Sequence, residues 1–260
     1  MMWLKEQVAN LITLLNLVCG VWAIFLLLNI SYYGHEKALL FACILVLVGA
    51  LFDLMDGLVA RALKISSEIG KQLDSLSDMV TFGVVPGIIA LILVSSYDDD
   101  SLTPSKLISV LIPVFSAVRL AKFNIDARQS KNFIGLPTPA NALFWVALGL
   151  ISLQKDGIFT FGFSIATPIS SFIDNFSNNL VFLMSCIICS SLLLVSPIRL
   201  FGFKFDKLSF YGNEMKLSFL ITSIFLILIL GFTAIPLILL LYILFSIIHF
   251  YILKRDEVQS

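Results

Sequence analysis

Four aspartates lie close together in the segment Phe52 to Met79: Asp53, Asp56, Asp74 and Asp78. Asp53 and Asp56 are three residues apart and Asp74 and Asp78 four apart, so each pair falls on one face of a helix. Gly57 and Arg61 extend the first face by one and two turns. The polar segment Lys64 to Ser67 suits a turn, and two helices packed side by side across it bring all four carboxylates into one small volume. The residues on either side are almost wholly apolar. On the membrane-insertion scale one central Asp costs roughly 2.5–3.5 kcal/mol, and four cost on the order of 10 kcal/mol or more at the bilayer centre, less near its surface. A single arginine cannot offset four carboxylates, whereas one or two divalent cations can. Oxygen ligands without Cys or His favour hard ions such as Mg²⁺ or Mn²⁺.

The rest of the chain reads as the scaffold for these groups. Hydrophobic residues make up 59% of the 260 positions and charged residues 13%, with a mean hydropathy of +1.00. That composition excludes an ordinary soluble domain and predicts an all-α, polytopic membrane bundle. The net charge is +0, so the total points to no anionic partner, and no nucleic acid is expected. Eight apolar segments separate at about 10–30, 37–61, 73–96, 105–124, 139–154, 178–198, 214–231 and 233–253. The break between the last two rests on Gly231 and Pro236. A ninth, weaker run, Ile158 to Ile169, is punctuated by glycine and proline and reads as re-entrant or interfacial. Lys5 precedes a long apolar run with no convincing cleavage site, so the first segment is expected to be a retained span.

Lys and Arg set the orientation. With eight spans and both termini cytoplasmic, all but three of the 17 basic residues fall inside, the exceptions being Lys37, Lys106 and Lys155. The acidic run Asp98 to Asp100 falls outside. This places Asp53 to Asp78 at the cytoplasmic ends of the second and third spans.

Within the first span Asn10, Thr13 and Asn16 recur every three residues and share roughly one face. They serve either as polar contacts between helices or as contacts to a polar ligand in the cytoplasmic pocket. Cys19, Cys43, Cys186 and Cys189 lie in apolar runs and read as small buried hydrophobes. His35, read as part of a polar loop, and His249 have no partner at metal spacing.

The aspartate stretch reads D-x2-D-G-x2-A-R-x8-G-x3-D-x3-D from Asp53 to Asp78, with Ala60 and Gly70 filling the remaining fixed positions. It resembles the signature of the CDP-alcohol phosphotransferases without departure. The resemblance implies a membrane fold with a six-helix core, usually dimeric, here residues 1–200, with 201–260 as a C-terminal extension carrying two further spans. It implies transfer of a substituted phosphate from a CDP-linked donor to an alcohol, with release of CMP. Carried over by position, Asp53, Asp56, Asp74 and Asp78 are metal ligands, two cations per site, and Asp78 is also the base for the attacking hydroxyl. Gly57 and Gly70 let the nucleotide approach the backbone and Arg61 binds the pyrophosphate. Ala60, Asn10 and Thr13 join the nucleotide side. Two cations about 4 Å apart clamp a pyrophosphate and support in-line attack, which agrees with this assignment.

Three further stretches resemble the type II phosphatidylserine synthase branch: NLITLLNLVCGVWAI, DSLSDMVTFGVVPG, and RLAKFNID with NFIGLPTPANA. Ala9 departs from the branch, which often has proline there, and is expected to alter the helix start rather than the chemistry. The branch implies CDP-diacylglycerol and L-serine as substrates, an inner-membrane location and a cytoplasm-facing site. Arg119 and Lys122 are either contacts for a phosphate or the serine carboxylate, or positive-inside anchors. Gly135, Pro137 and Pro139 shape the loop into the fifth span, and Thr138 is a weaker candidate for a substrate contact. The rival readings are another acceptor, glycerol 3-phosphate or inositol phosphate, and a divalent-cation transporter using the same carboxylates.

Overall fold

The computed structural model describes residues 2–63, 67–97, 103–126, 132–154, 179–202 and 214–253. The run Ile158 to Ile169 and the acidic run Asp98 to Asp100 lie outside the described residues. Among the described residues eight helices carry the architecture. They are α1 Met2–Leu28, α2 His35–Leu63, α3 Glu68–Ser95 and α4 Pro104–Ile125, α5 Thr138–Gln154, α6 Leu180–Val195, α7 Glu214–Leu230 and α8 Ala234–Ile247. α1 runs unbroken through Ala9, a position where proline would interrupt its hydrogen-bond ladder. His35 opens α2 rather than lying in a loop, because Gly34 makes the turn at φ 86°.

α1 to α4 are each long and apolar enough to cross a membrane. α5 and α6 are shorter, at 17 and 16 residues. The apolar run Glu214–Phe250 holds 37 residues. As one straight helix it would reach about 55 Å, far beyond a hydrocarbon core of about 30 Å. It folds back instead. Gly231 takes φ 59°, a backbone state that side chains disfavour, and Phe219 of α7 meets Tyr242 and Phe245 of α8 with ring centroids 5.7 and 6.1 Å apart. The break expected at Gly231 is therefore the bend of a helical hairpin.

Outward-facing side chains are apolar, among them Val18, Trp22 and Phe25 on α1 and Ile221, Phe225 and Leu228 on α7. That pattern suits lipid contact and inverts the polar exterior of a soluble bundle. Cys19 and Cys43 are buried as expected, whereas Cys189 is exposed on this apolar exterior. The core lies among α2, α3, α5 and α6, where Leu39, Val46, Phe82, Ile89, Trp145 and Ile187 are fully buried.

Among the described residues there are also two three-residue strands, β1 Asn132–Ile134 and β2 Arg199–Phe201, paired antiparallel with Phe133 opposite Leu200. Gly135 N and Leu136 N extend the pairing to Ile198 O and Leu193 O, both at 2.9 Å. Gly135 allows this with φ 76° and no Cβ, since a side chain there would strike the backbone of Leu194. Tyr242 OH donates to Phe201 O at 2.8 Å and ties α8 to β2. The domain boundary expected at residue 200 falls inside β2.

Candidate active site

α3 starts where it must for its carboxylates to meet those of α2. Ser67 is extended and its Oγ accepts from Gly70 N at 2.9 Å, an N-cap that satisfies one of the free donors of the first turn. Asp74 then comes level with Asp53 and Asp56. One oxygen from each of the three lies within 4.8 Å of the others. Asp74 Oδ1 is buried with no hydrogen-bond partner. The basic residues that bracket the cluster are engaged elsewhere: Arg61 Nε donates to Gly57 O on its own helix, and Lys71 Nζ to Asn124 O at the end of α4, both at 2.9 Å. Three converging carboxylates, one of them with an orphaned oxygen, fit a hard divalent cation.

The fourth aspartate stands beside this trio. Asp78 is 9% exposed, accepts from Asn16 Nδ2 at 3.3 Å, and interacts electrostatically with Asp53, Asp74, Asp56 and Arg119. Asp56 accepts from Thr13 Oγ1 at 2.6 Å; the same hydroxyl lies 3.2 Å from Ala9 O. α1 is held in register for these contacts from the other side. Ser77 Oγ and Thr81 Oγ1 of α3 donate to Thr13 O and Asn16 O at 3.1 and 3.0 Å. The polar face of the first span thus divides its work: Thr13 and Asn16 orient aspartates, while Asn10 faces a cavity. Thr81, fully buried, escaped sequence reasoning because a lone threonine in an apolar run has no distinguishing pattern.

That cavity holds about 270 Å³. α1 contributes Asn10 and Thr13, α2 contributes Asp56, Gly57 and Ala60, and α3 contributes Gly70 and Asp74. Glu6 and Lys71 line it as well and were not singled out for it, being ordinary charges at helix ends. The two glycines differ in kind. A Cβ on Gly57 would meet nothing within 4 Å, whereas one on Gly70 would lie 2.8 Å from Ser67 Oγ and 3.0 Å from Asn10 Oδ1. Gly57 keeps cavity space open, and Gly70 permits close approach of α3 to α1. Arg61, one residue past Ala60, is exposed and is not among the cavity-lining residues.

Arg119 and Lys122 line a second cavity of about 500 Å³, bounded by Ile134 and by Leu194 to Pro197. They are not equivalent. Lys122 is exposed, as an anchor at a membrane surface would be. Arg119 is 6% exposed, gives its Nε to Leu136 O at 2.9 Å, and stacks its guanidinium 5.2 Å from the centre of the Phe123 ring. A buried guanidinium is no surface anchor. It lies close enough to Asp78 for the two groups to interact electrostatically.

Residues 6–188 match a family model described as CDP-alcohol phosphatidyltransferase. The chain is also similar to curated proteins. A CDP-diacylglycerol–serine O-phosphatidyltransferase of Helicobacter pylori is 35% identical over 144 residues, 55% of this chain and 56% of that protein. The Bacillus subtilis protein of the same name is 36% identical over 138 residues, 53% of this chain and 72% of its own. An archaetidylserine synthase of Methanothermobacter thermautotrophicus is 39% identical over 136 residues, 52% and 54% of the two chains. The match thus spans little more than half the length of the Helicobacter and Methanothermobacter relatives.

Proposed function

The chain belongs to the CDP-alcohol phosphatidyltransferase family, and from that premise we propose that it transfers the phosphatidyl group of CDP-diacylglycerol to the hydroxyl of L-serine, giving phosphatidylserine and CMP. The observation that carries this reading is the convergence of Asp53, Asp56 and Asp74 on one point, with Asp78 beside them and a polar cavity in front. The names of the similar proteins support serine as the acceptor. The fourteen inside Lys and Arg residues support a site on the cytoplasmic face of a cell membrane. The family commonly forms dimers, and a homodimer is proposed here on that ground.

Asp53, Asp56, Asp74 and Asp78 would hold one or two Mg²⁺ or Mn²⁺ ions. When bound, such ions neutralise the pyrophosphate and the charge on departing CMP. The chain's own residues do the rest. The 270 Å³ cavity takes the cytidine end of the donor, with Gly57 open against it and Asn10 and Gly70 on the facing wall. Arg61 sits on the turn after Gly57, within side-chain reach of a diphosphate once it leaves Gly57 O. Asp78 takes the proton of the serine hydroxyl as its oxygen bonds to the phosphorus that carries diacylglycerol, and the bond from that phosphorus to the CMP oxygen breaks. Asn16 holds Asp78 in place for this step. Burial of the site in a bundle limits water, which would otherwise consume the donor.

The deciding experiment gives purified full-length protein CDP-diacylglycerol, Mg²⁺ or Mn²⁺, and serine, glycerol 3-phosphate or inositol phosphate in separate reactions. CMP release that depends on serine is expected. Release only with a phosphorylated acceptor, or none with any acceptor, overturns the reading.

A further inference from the structure

The last two helices, α7 and α8, lie beyond residue 188, where the family match ends. They are nonetheless bonded into the structure that anchors Arg119. Tyr242 and Ser246 of α8 are four residues apart and share one helical face. Both are buried. Tyr242 OH donates to Phe201 O at 2.8 Å, and Phe201 N donates to Ser246 Oγ at 3.4 Å. α8 thus holds both main-chain polar groups of the last residue of β2. Ser246 Oγ donates in turn to Tyr242 O at 2.7 Å. The Phe201 ring is packed edge-on, 5.1 Å from the ring of Tyr242 and 5.8 Å from that of Phe219 on α7.

From Phe201 the contacts lead inward without a gap. Phe201 stands opposite Asn132 in the strand pair. The same two segments are joined again from Gly135 N to Ile198 O and from Leu136 N to Leu193 O. Leu136 O accepts from Arg119 Nε, and Arg119 interacts electrostatically with Asp78. Tyr242 also lies close enough to Arg119 for the two groups to interact. An isolated pair of strands is marginal even at ordinary length, and here each strand has three residues. The pair therefore needs a hold from outside, and α8 supplies one. A long arginine side chain has many rotamers, so the carbonyl that receives its Nε decides where its guanidinium stands.

We propose that Tyr242 is a positioning residue for phosphatidyl transfer: through Phe201 and the Leu136 loop it holds Arg119 beside Asp78, with Ser246 as a second point of attachment. This rests on the reading of the chain as a phosphatidyltransferase with Asp78 as its base. The α7–α8 hairpin is then a working part of the site rather than an added pair of spans. None of the described residues of α7 or α8 lines the 270 Å³ cavity. The hairpin acts on the step in which Asp78 takes part, and binding of the donor is left to α1, α2 and α3.

The test compares Tyr242→Phe, Arg119→Lys and the double variant in purified full-length protein, with Phe245→Leu as a packing control. It measures kcat for CMP release with the preferred acceptor, KM for CDP-diacylglycerol, and melting temperature. Tyr242→Phe keeps the ring and loses the hydroxyl. Its kcat is expected to fall about tenfold, with the donor KM within about twofold. Arg119→Lys keeps the charge and gives up the bond to Leu136 O. With that bond gone the tyrosine has nothing to position, so adding Tyr242→Phe to Arg119→Lys should lower kcat by less than about twofold more. Phe245→Leu loosens the 6.1 Å contact with Phe219. It should lower the melting temperature while kcat stays within about twofold. Should Tyr242→Phe fail to fold, Ser246→Ala takes its place in the same cycle, with a fall in kcat of about threefold. An unchanged kcat in the single variant overturns the proposal. So does a double variant in which the two losses multiply, or a Phe245→Leu protein whose kcat falls with its stability, since either marks a merely structural role. A wild-type protein that releases no CMP with any acceptor overturns the transferase reading itself, and this proposal with it.

Discussion

Asn16 on the first helix and Asp78 on the third are joined by a hydrogen bond of 3.3 Å, with Asn16 Nδ2 as the donor. The bond crosses 62 residues of sequence and leaves the other Asn16 side-chain atom, Oδ1, buried and unpaired. It fixes the direction in which the Asp78 carboxylate points. Asp78→Asn is expected to lower kcat by roughly 100- to 10,000-fold, the usual contribution of a positioned general base. Asn16→Ala should lower kcat about tenfold while the KM for CDP-diacylglycerol stays near its original value. Steady-state CMP release measures both, and full activity in Asp78→Asn removes the base assignment.

The hydrogen bond from Thr13 to Asp56 predicts a dependence on metal concentration rather than on substrate. At 2.6 Å it is the shortest side-chain contact to the cluster. Partners of this kind change metal affinity by roughly 10- to 100-fold when removed. Thr13→Val should therefore move the half-saturating Mg²⁺ or Mn²⁺ concentration up by about tenfold, and Thr13→Ser should not. An unshifted metal titration in Thr13→Val shows that the hydroxyl serves only packing.

Gly57→Ala and Gly70→Ala should separate space for a ligand from space for a helix. The methyl group added by Gly57→Ala fits, since nothing lies within 4 Å of that Cβ position, and an alanine in a helix interior gains about 0.5–1 kcal/mol over glycine. The variant is expected to be at least as stable as the parent but to bind CDP-diacylglycerol more weakly. The methyl group added by Gly70→Ala would press on Ser67 Oγ at 2.8 Å and Asn10 Oδ1 at 3.0 Å, at a cost of about 1–3 kcal/mol. Melting curves alongside donor KM values distinguish the two. A Gly57→Ala protein with normal donor KM argues that the nucleotide does not use that face.

Removal of divalent metal should abolish activity and lower stability together. An ion bound at 100 times its dissociation constant stabilises the folded state by about 2.7 kcal/mol. Wild-type protein is therefore expected to melt higher in Mg²⁺ or Mn²⁺ than in chelator. Asp74→Asn and Asp53→Asn should lose both that gain and the activity while remaining folded without metal, since each relieves repulsion in the cluster. A metal-dependent rise in melting temperature that survives Asp74→Asn would place the ion elsewhere.

The aspartates were legible in the sequence because helical spacing alone puts Asp53 with Asp56 and Asp74 with Asp78, and an apolar setting makes carboxylates conspicuous. Thr13 and Asn16 were legible by their shared face, although not by which aspartate each would meet. The bend between α7 and α8 was legible in Gly231, whose positive φ carries it. Two features were not. Pairing of Asn132–Ile134 with Arg199–Phe201 depends on backbone groups far apart in the chain, and three-residue strands leave too little alternation to read. The inward turn of Arg119 depends on an acceptor, Leu136 O, that any residue would supply.

The pairing of Gly135 with Ile198 and of Leu136 with Leu193 also sets an order of assembly. Every residue of the aspartate trio, with Thr13, Asn16 and Asp78, has been synthesised by the time the third helix is complete. The partners that clamp the loop under Arg119 emerge about 60 residues after the loop itself, a delay of roughly 3–12 s at ordinary elongation rates. The aspartate half of the site is thus made early in synthesis. The half that holds Arg119 waits for α6 and β2 to be made, so a nascent chain stalled between the two would carry the aspartate cluster without the clamped loop under Arg119.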